Sequence, residues 1–239
     1  MIPKTIHYCW FGGNPLPALA QKCIHSWKKY LPDYTIIEWN ESNFDVSCVP
    51  YVREAYEAKK FAFVSDYARF WILYNHGGVY FDTDVEIIKP IDHIIEKGAF
   101  MGIENQIGSF IQVSPGLGIG CEAYHPFYKE MLDAYANIHF VINGSYNYKT
   151  IGQYNTELLR NKGLQNINNI QTVDNITIYP FDYFSPIDTT TKRIHITANT
   201  CAIHHYAGSW LDGKESKFKV KLRKVLPEWF LIMYSKFKR

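Results

Sequence analysis

The chain has 239 residues, 47% hydrophobic and 20% charged, with a net charge of +2. This ordinary globular balance allows one sizeable core and excludes a disordered or fibrous chain. Five scattered cysteines (Cys9, Cys23, Cys48, Cys121, Cys201) form no C-x-x-C pair, which argues against a disulfide framework and for a reducing compartment.

In chain order, MIPKTIHYCWFGG lacks the basic-then-apolar order of a signal peptide, and no run is long enough for a membrane span, so a cytoplasmic protein is expected. TIHYCWFGG reads as a first strand ending in a glycine turn. Residues 17–31 place Cys23, Ile24, Trp27 and Leu31 at helical spacing, and YTIIEWN is a second strand. A helix over 51–75 ends at Asn75-His76-Gly77-Gly78, residues that tolerate a left-handed cap. A strand over 79–88 follows, then another over 99–105 and a helix over 125–138. Residues 139–175 read as surface loop apart from a helical piece near 154–161. ITIYP and IHITANTCAIHHY supply late strands. The alternation predicts an α/β sheet with short connections and no domain boundary before about residue 212.

GGVYFDTDVEIIKP (77–90) carries the chemistry. Side chains at i and i+2 of a strand point the same way, so Tyr80, Asp82, Asp84 and Glu86 are expected on one face. Like charges buried unpaired cost several kcal/mol each, and a divalent cation relieves them; Mg²⁺ or Mn²⁺ binds a couple of carboxylates together with phosphate oxygens. A solvated strand end is the plain alternative, and the flanking apolar residues argue against it. A calcium loop fails, with Ile87 and His93 where Gly and Glu are required. In the preceding helix Asp66 and Arg69 lie three apart on one face. Phe63, Val64, Tyr67, Phe70, Trp71 and Leu73 leave them little open surface, so the pair is expected in a site rather than in a surface ion pair.

SDYARFWILYNHGGVYFDTDVEIIKPI resembles the DXD sugar-transfer region of glycosyltransferase family 32, with its S-D-x-x-R and G-G-x-Y-x-D-x-D elements, and IPKTIHYCWFGG resembles that family's first strand. The resemblance covers residues 1–110 well and 111–200 weakly. It implies a GT-A-type fold (a Rossmann-like mixed sheet flanked by helices), a nucleotide-diphospho-sugar donor, a divalent metal (Mn²⁺ or Mg²⁺) and retention of anomeric configuration. By position, Asp82 and Asp84 are the D-x-D pair on metal, diphosphate and ribose, Asp66 and Arg69 match donor-sugar contacts, and Trp10 matches an aromatic near the base. UDP is the nucleotide of family habit.

His-Tyr-x-Gly at 205–208 is similar to an element of related retaining transferases whose histidine is the third metal ligand, so His205 is expected on the metal and His204 is expected to point away. Ser209-Trp210 resembles the family's Ser-Trp ending over the diphosphate. GLGIG (116–120) lacks phosphate-loop spacing and reads as a small-residue turn near the acceptor cleft. TIGQYNTE (150–157) resembles the family's T-G-P segment, with Gln153 in place of Pro.

The reading is a catalytic domain over 1–212 and a basic amphipathic tail over 213–239. The enzyme is a retaining transferase moving a sugar to a hydroxyl of a glycan or lipid-linked glycan in bacterial surface polysaccharide synthesis. Residues 214–239 hold nine Lys/Arg and two acids, a net of +7, against −5 for the remainder. That asymmetry suits the anionic inner face of a membrane, or packing of the tail on the body. Nucleic acid is set aside because the body is acidic. A non-catalytic, metal-dependent sugar-binding module and a two-carboxylate glycosidase are the rival readings; neither needs a nucleotide.

Overall fold

The computed structural model describes residues 1–104, 110–188 and 191–208; Ser209, Trp210 and the tail lie outside them. The first half runs β1 (Thr5–Cys9), α1 (Ala18–Tyr30), β2 (Thr35–Trp39), α2 (Pro50–Glu57), α3 (Phe61–His76), β3 (Gly78–Tyr80), β4 (Val85–Ile87), α4 (Asp92–Ile95) and β5 (Phe100–Glu104). The second half runs β6 (Gln112–Val113), a 3₁₀ turn (Pro115–Leu117), β7 (Ile119–Cys121), α5 (Pro126–Tyr135), β8 (Val141–Ile142), β9 (Ser145–Tyr146) and α6 (Ile151–Asn161). It ends with β10 (Gln171–Val173), β11 (Ile176–Tyr179), α7 (Phe181–Phe184) and β12 (Ala202–His204).

The main sheet is ordered β10-β11-β5-β7-β3-β1-β2, with β6 paired to β5. β2 and β3 flank β1 in parallel, and β5 pairs in parallel with β11, while β7 runs antiparallel between β3 and β5. Buried apolar side chains form two clusters. One draws on α2, α3, α5 and α6, the other on α1, α4, α7, β4 and β12. Helices thus cover both faces, as a sheet with parallel strands requires. The mixed α/β sheet flanked by helices expected from the sequence is the architecture observed. Among the described residues, no helix is long and apolar enough to cross a membrane.

Four expectations are corrected. The helix over 51–75 is two helices, broken where Lys59 takes a left-handed φ of 57°. The loop over 139–175 contains the β8–β9 hairpin and β10, and α6 starts at Ile151 rather than 154. Thr150 and Gln153 form a reciprocal capping box there, so Gln153 caps the helix at the place where the family's Pro was sought. The strand over 79–88 is interrupted: β3 ends at Tyr80, β4 begins at Val85, and the Val85 N–H closes a turn on the Asp82 carbonyl. β4 leaves the main sheet to pair antiparallel with β12. IHITANTCAIHHY accordingly yields only β12 and an isolated bridge between Ile187 and Ile194.

Candidate active site

Asp82 and Asp84 sit in the turn where the chain crosses from one sheet to the other, at the edge where parallel β1 and β3 both end. Ligands gather at such edges in α/β sheets. α3 delivers its pair from behind. Gly77, with a φ of 64°, turns the chain from α3 into β3; a side chain there would meet the Ala123 backbone nitrogen at 2.8 Å. The α3 residues Asp66 and Arg69 are 8% and 4% exposed.

One nitrogen of Arg69, Nη2, lies 3.1 Å from Asp66 Oδ1 and 3.2 Å from Asp82 Oδ1. Its Nε donates to the Ser65 carbonyl at 3.0 Å, and the guanidinium lies 5.0 Å from the Tyr80 ring centre. The Tyr80 hydroxyl donates to Asp82 Oδ1 at 3.0 Å. The Ile151 backbone N–H at the start of α6 also acts to lower the Asp66 carboxyl. A single guanidinium therefore serves two carboxylates. Burial pushes Asp66 up to about 7 against the pull of Arg69, and Asp82 is raised as well, by burial and by the neighbouring Asp84.

The other half comes from the C-terminal segment. His204 Nε2 lies 3.1 Å from Asp84 Oδ1, and the Ala207 N–H donates to Asp84 Oδ2 at 2.7 Å. Burial alone would raise Asp84; the His204 charge and hydrogen bond with the Ala207 N–H outweigh it and hold Asp84 well below the usual carboxylate range. Burial likewise opposes a charged His204, but Asp84 raises it to about 9.

The two histidines are placed the other way round from expectation. The β12–β4 ladder sets His204 opposite Val85 and aims it at Asp84, whereas His205 Nε2 turns to Glu86 Oε2 at 2.8 Å. Glu86, expected beside the aspartates, is drawn off by β4 and also accepts Lys22 Nζ at 2.7 Å. Strand parity alone could not fix this, because β12 ends at His204, so His205 is no longer in the ladder, and the chain turns left-handed at Tyr206.

Potential ligand atoms of Asp82, Asp84 and His204 all lie within 4.8 Å of one another. Two cis ligands of an octahedral ion with bonds near 2.1 Å are about 3 Å apart, which matches the 3.1 Å between His204 and Asp84. His204 Nδ1 is buried without a hydrogen-bond partner, so the ring is not fully satisfied by protein. Three carboxylates face one guanidinium and one imidazole. The donor set and its charge fit a divalent cation.

Trp10 leaves β1 at the same edge as Asp82, half-buried, its Nε1 donating to the Asn14 carbonyl at 2.6 Å. Two contributors escaped sequence reasoning as site residues. Tyr80 was placed on the acids' face, but its bond to Asp82 was not foreseen. Gly116 was taken only for a turn, yet its carbonyl accepts the Asp82 N–H at 3.2 Å, and a Cβ there would lie 2.1 Å from Asp82 Oδ2. Its signal was the glycine-rich GLGIG itself.

Residues 17–101 match the family described as glycosyltransferase sugar-binding region containing DXD motif. Inositol phosphoceramide mannosyltransferase 1 of Schizosaccharomyces pombe is 30% identical over 42% of this chain and 33% of that protein. Mannosyl phosphorylinositol ceramide synthase CSH1 of Saccharomyces cerevisiae is 26% identical over 55% of this chain and 35% of its own length. The chain thus spans about a third of these curated relatives. An uncharacterized glycosyltransferase, L373, of Acanthamoeba polyphaga mimivirus is 26% identical over 86% of this chain and 82% of its own. A solved glycosyltransferase involved in glycosylation of the major capsid of PBCV-1 covers 92% of this chain at 10% identity, TM-score 0.47. Residues 17–101 are thus similar to the DXD-containing sugar-binding region of glycosyltransferases, the resemblance that the motifs in that stretch led one to expect.

Proposed function

We propose that the chain is a metal-dependent, retaining glycosyltransferase moving a sugar from a nucleotide-diphospho-sugar to a hydroxyl of a glycan or lipid-linked acceptor. The observation that carries the reading is the single Arg69 nitrogen joining Asp66 of the helix to Asp82 of the D-x-D turn, beside the Asp84–His204 pair. A sugar-binding module has no need of this junction between two kinds of subsite.

Asp82, Asp84 and His204 would hold the metal, which supplies Lewis-acid neutralisation of the diphosphate. Asp66 and Arg69 hold the donor sugar, and Arg69 fixes Asp82 relative to it, so sugar and diphosphate are positioned as one unit. Trp10 takes the base; Ser209 and Trp210 are assigned to the diphosphate by resemblance alone. Retention follows from front-side attack: the acceptor oxygen bonds to the anomeric carbon as the bond to the diphosphate oxygen breaks. The acceptor proton passes to that departing oxygen.

UDP is the donor nucleotide implied by the family, while the mannosyltransferase names of the relatives add a mannosyl donor. Those names also favour an inositol-phosphate lipid, beside bacterial surface glycans, as the acceptor class to test. Peripheral attachment through residues 214–239 to the inner face of a cytoplasmic membrane completes the reading. The test is a panel of nucleotide sugars assayed for hydrolysis with Mn²⁺ or Mg²⁺. One or two should be cleaved, and chelator should stop it. Cleavage of none, or full cleavage in chelator, overturns the proposal.

A further inference from the structure

Behind the site, α3 packs against α2, α5 and α6, and these helices bring aromatic rings up to Asp66. Residues three and four apart on a helix lie together, so Phe63, Asp66 and Tyr67 share one face of α3. The rings on that face close a circuit. Phe63 packs on Phe140 at 4.9 Å between ring centres, and Phe140 on Tyr51 at 5.5 Å. Tyr51 meets Tyr135 at 4.9 Å, and Tyr135 returns to Tyr67 at 5.8 Å. Asp66 stands between the two α3 residues where the circuit begins and ends.

Two of these rings carry hydroxyls with nothing to bond. Tyr51 is 0% exposed and Tyr135 1%, and neither hydroxyl has a hydrogen-bond partner among the described residues. Tyr154, whose ring lies 5.4 Å from that of Tyr135, is different: its hydroxyl accepts from Asn147 Nδ2 at 3.1 Å. A phenol withdrawn from water and left unpaired costs stability. Packing does not ask for the oxygen, because Tyr51 and Tyr135 meet edge to face, a contact that phenylalanine makes equally well.

Burial raises both hydroxyls far above the usual phenol range, and of the charges that reach them Asp66 adds most. Both therefore lie near enough to Asp66 to feel its charge, yet neither bonds it directly. A buried water typically makes about three hydrogen bonds. Two phenols and one carboxylate supply that number. Asp66 also needs a second support, because the Arg69 nitrogen that holds it is shared with Asp82.

We infer that Tyr51 and Tyr135 hold a buried water against Asp66, and through it fix the carboxylate assigned to the donor sugar. The two tyrosines are then positioning residues, set back from the substrate. Their part in donor binding rests on the transferase reading; the water does not.

The experiment uses the full chain. A high-resolution crystal structure should show one ordered water within hydrogen-bond distance of both hydroxyls and of Asp66. Tyr51→Phe and Tyr135→Phe should each lower the urea midpoint, because the water loses a partner; were the space dry, deleting an unpaired hydroxyl would raise it. Each variant should lower kcat/KM for hydrolysis of the nucleotide sugar that wild type cleaves roughly tenfold, chiefly through KM, with Mn²⁺ binding by calorimetry unchanged. In an Asp66→Asn background the same substitutions should cost nothing further, since both act through that carboxylate. A dry site in the crystal, a raised midpoint in either variant, unchanged kinetics, or an equal kinetic loss in the Asp66→Asn background overturns the inference. If wild type cleaves no nucleotide sugar, the transferase reading falls, and the crystal and urea arms still decide the water.

Discussion

His7 and His204 are both largely withdrawn from water, and they are opposites. His7, on β1, is 1% exposed with both nitrogens matched: Nε2–H donates to the Gly77 carbonyl at 3.0 Å, and Nδ1 accepts the Trp39 Nε1–H at 3.0 Å. That pattern needs the neutral ring, and burial lowers its pKa to about 4. His204 faces an acid with one nitrogen and nothing with the other, and Asp84 raises it to about 9 despite burial. The first histidine is complete as a structural bond, holding the start of β3 against β2. The second is left unfinished by the protein, which is how a ligand position differs from a core residue of the same type.

The largest effect should come from removing an acid on the unfinished side. Asp84→Ala is expected to lower metal-dependent donor hydrolysis roughly a thousandfold or more, with far-UV circular dichroism unchanged. His204→Ala should weaken Mn²⁺ binding, measured by calorimetry, far more than His205→Ala, which loses only the contact to Glu86. Equal effects of the two histidines would dissolve the distinction drawn here. Arg69→Lys should cost nearly as much activity as Asp84→Ala, because an ammonium cannot reproduce a fork shared by two carboxylates.

Gly116→Ala tests the same side through packing. A Cβ at 2.1 Å from Asp82 Oδ2 cannot be accommodated while Arg69 and Tyr80 hold that carboxylate. Displacing Asp82 by about 1 Å is expected to cost roughly a hundredfold in turnover. Since no left-handed φ is required at Gly116, thermal stability should fall little. A variant with normal kinetics would mean that Asp82 need not occupy its present position.

The first strands and helices of the sheet and the buried Asp66–Arg69 pair were legible because their signals are local: helical spacing around Trp27, an i,i+3 pair in an apolar helix and a glycine cap before a strand; that Arg69 also reaches Asp82 was not. The histidine assignment was not, since it depends on the register of β12 against β4, over a hundred residues apart in sequence. Glu86 was misplaced for a related reason. Period-two reasoning presumes a continuous strand, and the Asp82–Val85 turn breaks it. The hairpin was hidden because its strands are two residues long and carry no clear alternation.

The smallest net effect, and the sharpest probe of His7, is the acid dependence of stability. A histidine whose folded pKa lies below its unfolded value contributes stability that is present above about 6.5 and is lost as pH falls toward 4. For His7 the shift corresponds to about 3 kcal/mol. His125, lowered by burial, adds to this limb. Asp66 works in the opposite direction, and Asp82, also raised by burial, acts in the same sense as Asp66. The folded pKa of Asp66 is raised to about 7, so its contribution is fully present below the unfolded value of 3.8 and is lost as pH rises through 7. The raised His204 contributes fully below 6.5 and does not change in this window. Wild type should therefore show little change in urea stability between about pH 6.5 and 4.5, where the two limbs oppose. Asp66→Asn weakens one limb, so stability should then fall on acidification, and NMR should show the His7 ring still neutral at about pH 5. If Asp66→Asn is as insensitive to acid as wild type and His7 titrates near its ordinary value, the Gly77 and Trp39 bonds do not hold the ring neutral. The contrast with His204 would then be one of position alone.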